Sequence, residues 1–174
     1  MPITDALRSL DDLLLHELQD LYSAEQQLTE ALPKKVEAAS HADLKDAFQE
    51  HLQETYEQVD RLENVFGTMG KQPDGQHCEA MEGLISEAQE IIGASGEEVI
   101  KDAALIAAAQ RVEHYEIAGY GATATYADEL GLSDVESLLN ETLSEEKSAD
   151  KKLNSIATGG WLSSGINRAA RQRS

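Results

Sequence analysis

The sequence contains one cysteine, Cys78, so no internal disulfide framework is available to it. Three prolines, two phenylalanines, one tryptophan and five tyrosines leave little material for strands, whereas Ala, Leu, Glu, Gln and Lys abound. That balance predicts an all-α chain. Basic residues are scarce: fourteen Lys and Arg stand against thirty-three Asp and Glu, a formal charge of -19. Such a surface repels nucleic acid and anionic lipid, and both are excluded as expected partners. No apolar run approaches the roughly eighteen residues of a membrane span, and no basic-then-apolar leader opens the chain. A cytoplasmic protein is therefore expected. Serine-nucleophile, phosphate-loop and dinucleotide-binding signatures are missing too.

What the sequence does contain is helical periodicity. From Thr4, Leu7, Leu10, Leu14, Leu18, Leu21, Leu28 and Leu32 recur mostly at steps of three and four, predicting a first helix that bends or breaks near Pro33. A second stripe, Leu44, Phe48, Leu52, Thr55, Val59, Leu62, Phe66 and Met69, ends at the loop GTMGKQPDGQHC. A short helix over about 79–92 follows. A third long helix, with Ser95 and Glu98 as its expected capping pair, carries Ile106, Ala109, Val112, Gly119, Tyr120, Thr123, Ala127 and Leu130 to a stop at Gly131. Ser133 and Glu136 form a second capping-box pattern, opening a fourth helix through Leu138, Leu139, Leu143, Leu153 and Ile156. Four long helices with short turns after the first and third predict a bundle of two antiparallel hairpins over residues 4–157. Residues 158–174, rich in Gly and Ser with Arg168, Arg171 and Arg173, are expected to form a flexible tail.

Carboxylates interrupt these apolar faces. At about 100° per residue Glu116, within VEHYEIAGY, falls at the centre of the third stripe, and Glu25 falls inside the first. An uncompensated buried carboxylate costs several kcal/mol or a large upward pKa shift, so a partner or cation is required. An offset of 91 residues superposes Glu25 on Glu116, Leu44 on Val135, Phe48 on Leu139, Glu54 on Glu145 and Leu62 on Leu153. The hairpins read as weak copies of each other. Each of the four glutamates lies roughly 20 Å from its turn at about 1.5 Å per residue, so Glu25, Glu54, Glu116 and one of Glu145 or Glu146 are expected in one layer. Four inward glutamates suit two iron or manganese ions, which take carboxylate oxygens and imidazole nitrogens. No Glu-x-x-His occurs in the second or fourth helix. Instead His51 precedes Glu54 by three and Glu113 precedes Glu116 by three, which makes His51 the candidate nitrogen ligand and Glu113 either a ligand or a flank charge. His114 is expected to face outward. His77 and Cys78 adjoin with no second pair, which does not make a zinc site, and Cys78 is expected to be buried packing.

The segments LYSAEQQL, HLQETYEQVDRL, HCEAM and RVEHYEIAGYG resemble the YciF/YciE family of bacterial ferritin-like proteins, over roughly Leu7 to Leu153. That resemblance implies a ferritin-like bundle, a homodimer, an association with stress, and a candidate di-iron site; it implies no particular reaction. The apolar residues Met81, Leu84, Ile85, Ile91 and Ile92 support the dimer expectation, as surplus to one bundle. Two readings of function stand: a bundle holding a di-iron or di-manganese pair at Glu25, His51, Glu54, Glu113, Glu116, Glu145 and Glu146, or a metal-free structural dimer whose polar layer is relieved by protonation or by Tyr22, Tyr115 or Tyr120.

Overall fold

Ser9 opens the first helix by accepting the amide hydrogen of Asp12 at 3.1 Å, with Asp11 and Asp12 favourably placed in the positive first turn. The computed structural model describes residues 7–73, 77–159 and 164–171, so the expected start at Thr4 lies outside the described residues. Among the described residues six helices follow in order: α1 (Leu10–Ala38), α2 (Ala42–Met69), α3 (Glu79–Gly93), α4 (Glu98–Glu129), α5 (Ser133–Thr158) and α6 (Ile166–Arg171).

Glycines end two of the long helices. Gly70 adopts a left-handed φ of 63° after α2, and Lys71 donates back to the Phe66 carbonyl at 2.9 Å. Gly131, at φ 71°, does the same after α4, where Leu132 donates to Ala127 at 2.9 Å. Other expected boundaries differ. Pro33 does not break α1; it sits on the exposed face and the helix continues to Ala38, because its neighbours Ala31, Leu32 and Lys35 are buried and packing outweighs one lost hydrogen bond. Neither predicted capping box forms: α4 begins after Glu97 and α5 after Leu132, neither with a side-chain cap. The turn between α1 and α2 is secured from elsewhere. Asp102 of α4 accepts the amide hydrogens of Ser40 and His41, each at 2.9 Å, tying that turn to the start of α4.

The four long helices pack in the ring α1, α2, α5, α4. Leu14 and Leu18 cluster with Ala124 and Ala127, while Leu28 and Leu32 cluster with Val112, so α1 and α4 run antiparallel. Gly119 permits that approach, since a Cβ there would lie 2.8 Å from a Leu21 methyl. Hydrogen bonds from Gln58 and Arg61 to residues 141–146 likewise set α5 antiparallel to α2. The connection from α2 to α4 must then travel the bundle's length, and α3 does so while packing on α1 and α4. Met81 is buried, Leu84 and Ile85 pack beside it, and Ile91 and Ile92 pack on the cluster around Leu105 and Phe48. These residues serve the bundle itself rather than standing spare. Part of the segment expected to be loose is ordered as well: α6 packs on α4 and α5 with Ile166 buried. Residues 160–163 and 172–174 lie outside the described set.

Two apolar clusters fill the bundle's ends. One gathers Leu14, Leu18, Leu62, Phe66, Tyr120 and Leu139; the other gathers Leu44, Phe48, Leu105, Ile106 and Leu153. Between them lies a polar layer.

Candidate metal centre

Each long helix presents an acid or imidazole at mid-length. Glu25 comes from α1, His51 from α2, Glu113 and Glu116 from α4, and Glu146 from α5; all are buried, and three of them, Glu25, Glu116 and Glu146, are wholly shielded from solvent. Ligand atoms of His51, Glu113, Glu116 and Glu146 all lie within 4.8 Å of one another. Glu25 adjoins them and accepts a hydrogen bond from the Tyr120 hydroxyl at 2.6 Å. What distinguishes the layer is how few of its polar atoms are satisfied. Both oxygens of Glu116, both ring nitrogens of His51, and one oxygen each of Glu25, Glu113 and Glu146 have no hydrogen-bond partner. Buried polar atoms in folded proteins are normally paired, so this concentration in one place calls for a ligand.

The electrostatics carry the same strain. Burial pushes the Glu25 carboxyl up to about 7, although Tyr120 and His51 pull it down. Glu116 is also raised well above the usual range, first by burial and then by Glu25 and Glu113, and Glu146 likewise, first by burial and then by Glu116, Glu113 and Glu25. Burial alone would lower His51, but Glu113, the nearby Glu54 and Glu25 reverse that and favour its protonated form. His51 Nε2 lies 3.5 Å from Glu113 and Nδ1 lies 3.8 Å from Glu54, ion-pair distances but too long for strong hydrogen bonds.

His51, Glu113 and Glu116 converge and Glu25 lies in the same layer; Glu113, which the sequence left as either a ligand or a flank charge, is buried and faces inward. The open choice between neighbours resolves to Glu146. Glu145 turns aside, because the Arg61 guanidinium grips both its oxygens at 2.7 and 2.9 Å while also donating to Thr142. Glu54 stands at the rim, a third exposed, rather than among the four converging groups. Three contributors went unnoticed in the sequence. Gln58 is buried and donates to Glu146 Oε1 at 2.5 Å and to Glu145 Oε2 at 3.1 Å, and its place among His51, Thr55 and Leu62 at steps of three and four was the available signal. Lys35 is buried, and Glu113 and Glu116 partly offset the lowering that burial imposes on its ammonium. Its position three residues after Leu32 marked the inward face. Arg61, the third, fixes the rotation of α5 through Glu145.

The remaining candidates lie elsewhere. Tyr22 donates to Glu63 at 2.9 Å, and Tyr115 donates to Asp20 beside the buried Cys78 thiol. Burial holds that thiol at about 11, consistent with inert packing. His114 faces outward, near Asp150. His77, Glu79 and Glu82 form an exposed surface group without Cys78.

Comparison with known proteins follows the same outline. A family model described as a domain of unknown function, DUF892, matches residues 9–170. Protein YciF of Escherichia coli strain K12 is 45% identical over 164 residues, spanning 94% of this chain and 99% of its own. The crystal structure of the E. coli stress protein YciF superposes with a TM-score of 0.84 at 47% identity, covering 86% of this chain and 95% of that one. YcfI from Rhodopseudomonas palustris, described as a candidate structural protein, superposes with a TM-score of 0.85 at 47% identity, covering 88% and 98%.

Proposed function

The chain belongs to the DUF892 family, and from that premise we propose that it is a stress-associated, ferritin-like protein holding a pair of iron or manganese ions in its polar layer. One observation carries this reading: seven buried donor atoms on Glu25, His51, Glu113, Glu116 and Glu146 lack any hydrogen-bond partner. Those donors fit the group. Carboxylate oxygens with one imidazole suit iron and manganese, and two divalent ions would balance the charge of Glu25, Glu113, Glu116 and Glu146. Glu116 offers two unpartnered oxygens, Glu146 one oxygen with the other held by Gln58, and Glu25 one oxygen with the other held by Tyr120. When bound, such a pair supplies Lewis acidity and, for iron, one-electron chemistry toward oxygen or peroxide. The surrounding side chains orient the ligands and, with the apolar clusters above and below, exclude bulk water.

Metal analysis after purification without chelator, followed by anaerobic addition of Fe²⁺ or Mn²⁺, tests the reading. About two ions per chain are expected; none after addition overturns it. A metal-free structural role is the second reading, and the buried Lys35 favours it, because a built-in ammonium near Glu113 and Glu116 can offset part of the layer's charge. A homodimer remains part of the proposal, resting on the family resemblance, and so does a cytoplasmic location, resting on the single cysteine. Light scattering at micromolar concentration tests the dimer, and a monomer there would remove it. No helix among the described residues is long and apolar enough to cross a membrane.

A further inference from the structure

A cavity of about 60 Å³ opens between α2 and α5 and reaches His51 and Glu113. Three carboxylates line it in order of depth: Glu50, whose side chain is 57% exposed, then Glu54 at 33%, then Glu113 at 2%. At its bottom the His51 ring nitrogens and Glu113 Oε2 are buried and without hydrogen-bond partners. At its mouth the Lys152 ammonium pairs with Glu50. Apolar clusters lie at either end of the layer, and α3 packs along α1 and α4.

We propose that this cavity is the route by which a divalent cation reaches the metal centre, with Glu50 capturing it, Glu54 relaying it, and His51 with Glu113 receiving it. The inference rests on the metal-site reading above and assigns Glu54 and Glu50 a role that reading leaves open. Size supports an ion over an organic substrate. The cavity narrows from the exposed Glu50 to the buried His51 and Glu113, so an ion that reaches them exchanges water for protein ligands. Carboxylate oxygens must replace its water as it descends, and the falling exposure from Glu50 to Glu113 provides them in sequence. Lys152 opposes a cation at the mouth, and its pairing with Glu50 moderates both charges.

Loading kinetics with Co²⁺ as the probe test the route, because its absorption in a carboxylate and imidazole site can be followed after rapid mixing with metal-free protein. Ala149 lines the cavity and is only partly covered, so Ala149→Cys places a thiol there, while the native Cys78 is buried and stays unmodified in the wild-type control. Capping the new thiol with a bulky methanethiosulfonate should slow both uptake and release of Co²⁺ by about tenfold or more with equilibrium affinity unchanged, as expected of a raised barrier. Removing the cap with reductant, then removing the reductant, should restore the rate and exclude misfolding as the cause. Glu50→Gln should slow uptake several-fold at low salt and little at high salt, and Lys152→Gln should speed it. Unchanged rates in the capped protein, with normal equilibrium loading, would overturn the route alone. Wild-type protein that takes up no Co²⁺ at equilibrium would overturn the metal-site reading and the route with it.

Discussion

The two hairpins of this bundle are built on one plan and diverge at the positions that matter. Glu25 and Glu116 correspond and both are buried; Glu54 and Glu145 correspond and both stand at the rim of the layer. One turn away the correspondence changes character. In α2 the inward pair is His51 followed four residues later by Thr55, whereas the matching pair in α5 is Thr142 followed by Glu146. Each helix therefore gives one strong ligand and one small hydroxyl side chain, but in opposite order. Tyr22, half-buried in the first hairpin, is matched by the buried Glu113 in the second. The first hairpin supplies one carboxylate and the imidazole, and the second supplies three carboxylates. A symmetric scaffold thus yields an asymmetric donor set.

The largest effect should separate neighbours that the sequence does not distinguish. Glu146→Gln removes a converging oxygen and should weaken metal binding by roughly a hundredfold or more, above what loss of a supporting group costs. Glu145→Gln should leave metal affinity within about tenfold and instead lower stability by about 2 kcal/mol through the partly buried Arg61 that it leaves poorly paired. Equilibrium metal titration and urea unfolding on both variants check this. Equal loss of metal would erase the distinction drawn between rim and layer.

Next in size is a pH dependence of opposite sign with and without metal. Glu25, Glu116 and Glu146 have folded pKa values above the roughly 4.3 of an unfolded glutamate, so the native metal-free state holds protons that the unfolded state releases. Their contribution is full below that value and is lost as pH rises; for Glu25 the loss runs up to about 7 and amounts to about 4 kcal/mol. Thermal melts of chelator-treated protein should fall over this range, and Glu25→Gln should flatten part of the slope. Added Mn²⁺ should make stability rise with pH instead, since the metal requires deprotonated ligands.

A smaller effect probes the supports. Gln58→Leu leaves Glu146 in place but removes the amide that orients it, and metal affinity should fall about tenfold. No change would mean that the amide merely fills space.

Much of this layer was legible because the helices have similar lengths. With each near thirty residues, a glutamate about fifteen residues from one end is at mid-length whichever end is counted, so levels could be read without knowing that the two turns lie at opposite ends of the bundle. Rotation was harder. Glu145 and Glu146 differ by about 100° around α5, and the choice depends on Arg61, which reaches across from α2 and is invisible to any local pattern. Glu54 misled for a related reason: it matches Glu145, and both serve the rim. Gln58 and Lys35 were overlooked because an amide and a long ammonium are ordinarily read as solvent-facing, although both lie on the inward stripe. Neither capping box formed at the start of α4 or α5, and the α1–α2 turn is secured instead by Asp102, which is 61 residues from His41 in sequence and invisible to any local pattern.

Glu116→Gln puts the central claim to its most direct test, through bound metal and thermal midpoint measured together with and without Fe²⁺. Glu116 is wholly buried with both oxygens unpartnered, so the substitution keeps its shape while removing a ligand and a buried charge. Bound metal should be lost, and the metal-free midpoint should equal or exceed that of the wild type. Unchanged metal content together with a raised midpoint would contradict it, and would make the layer a relic that the bundle tolerates rather than a site that it builds.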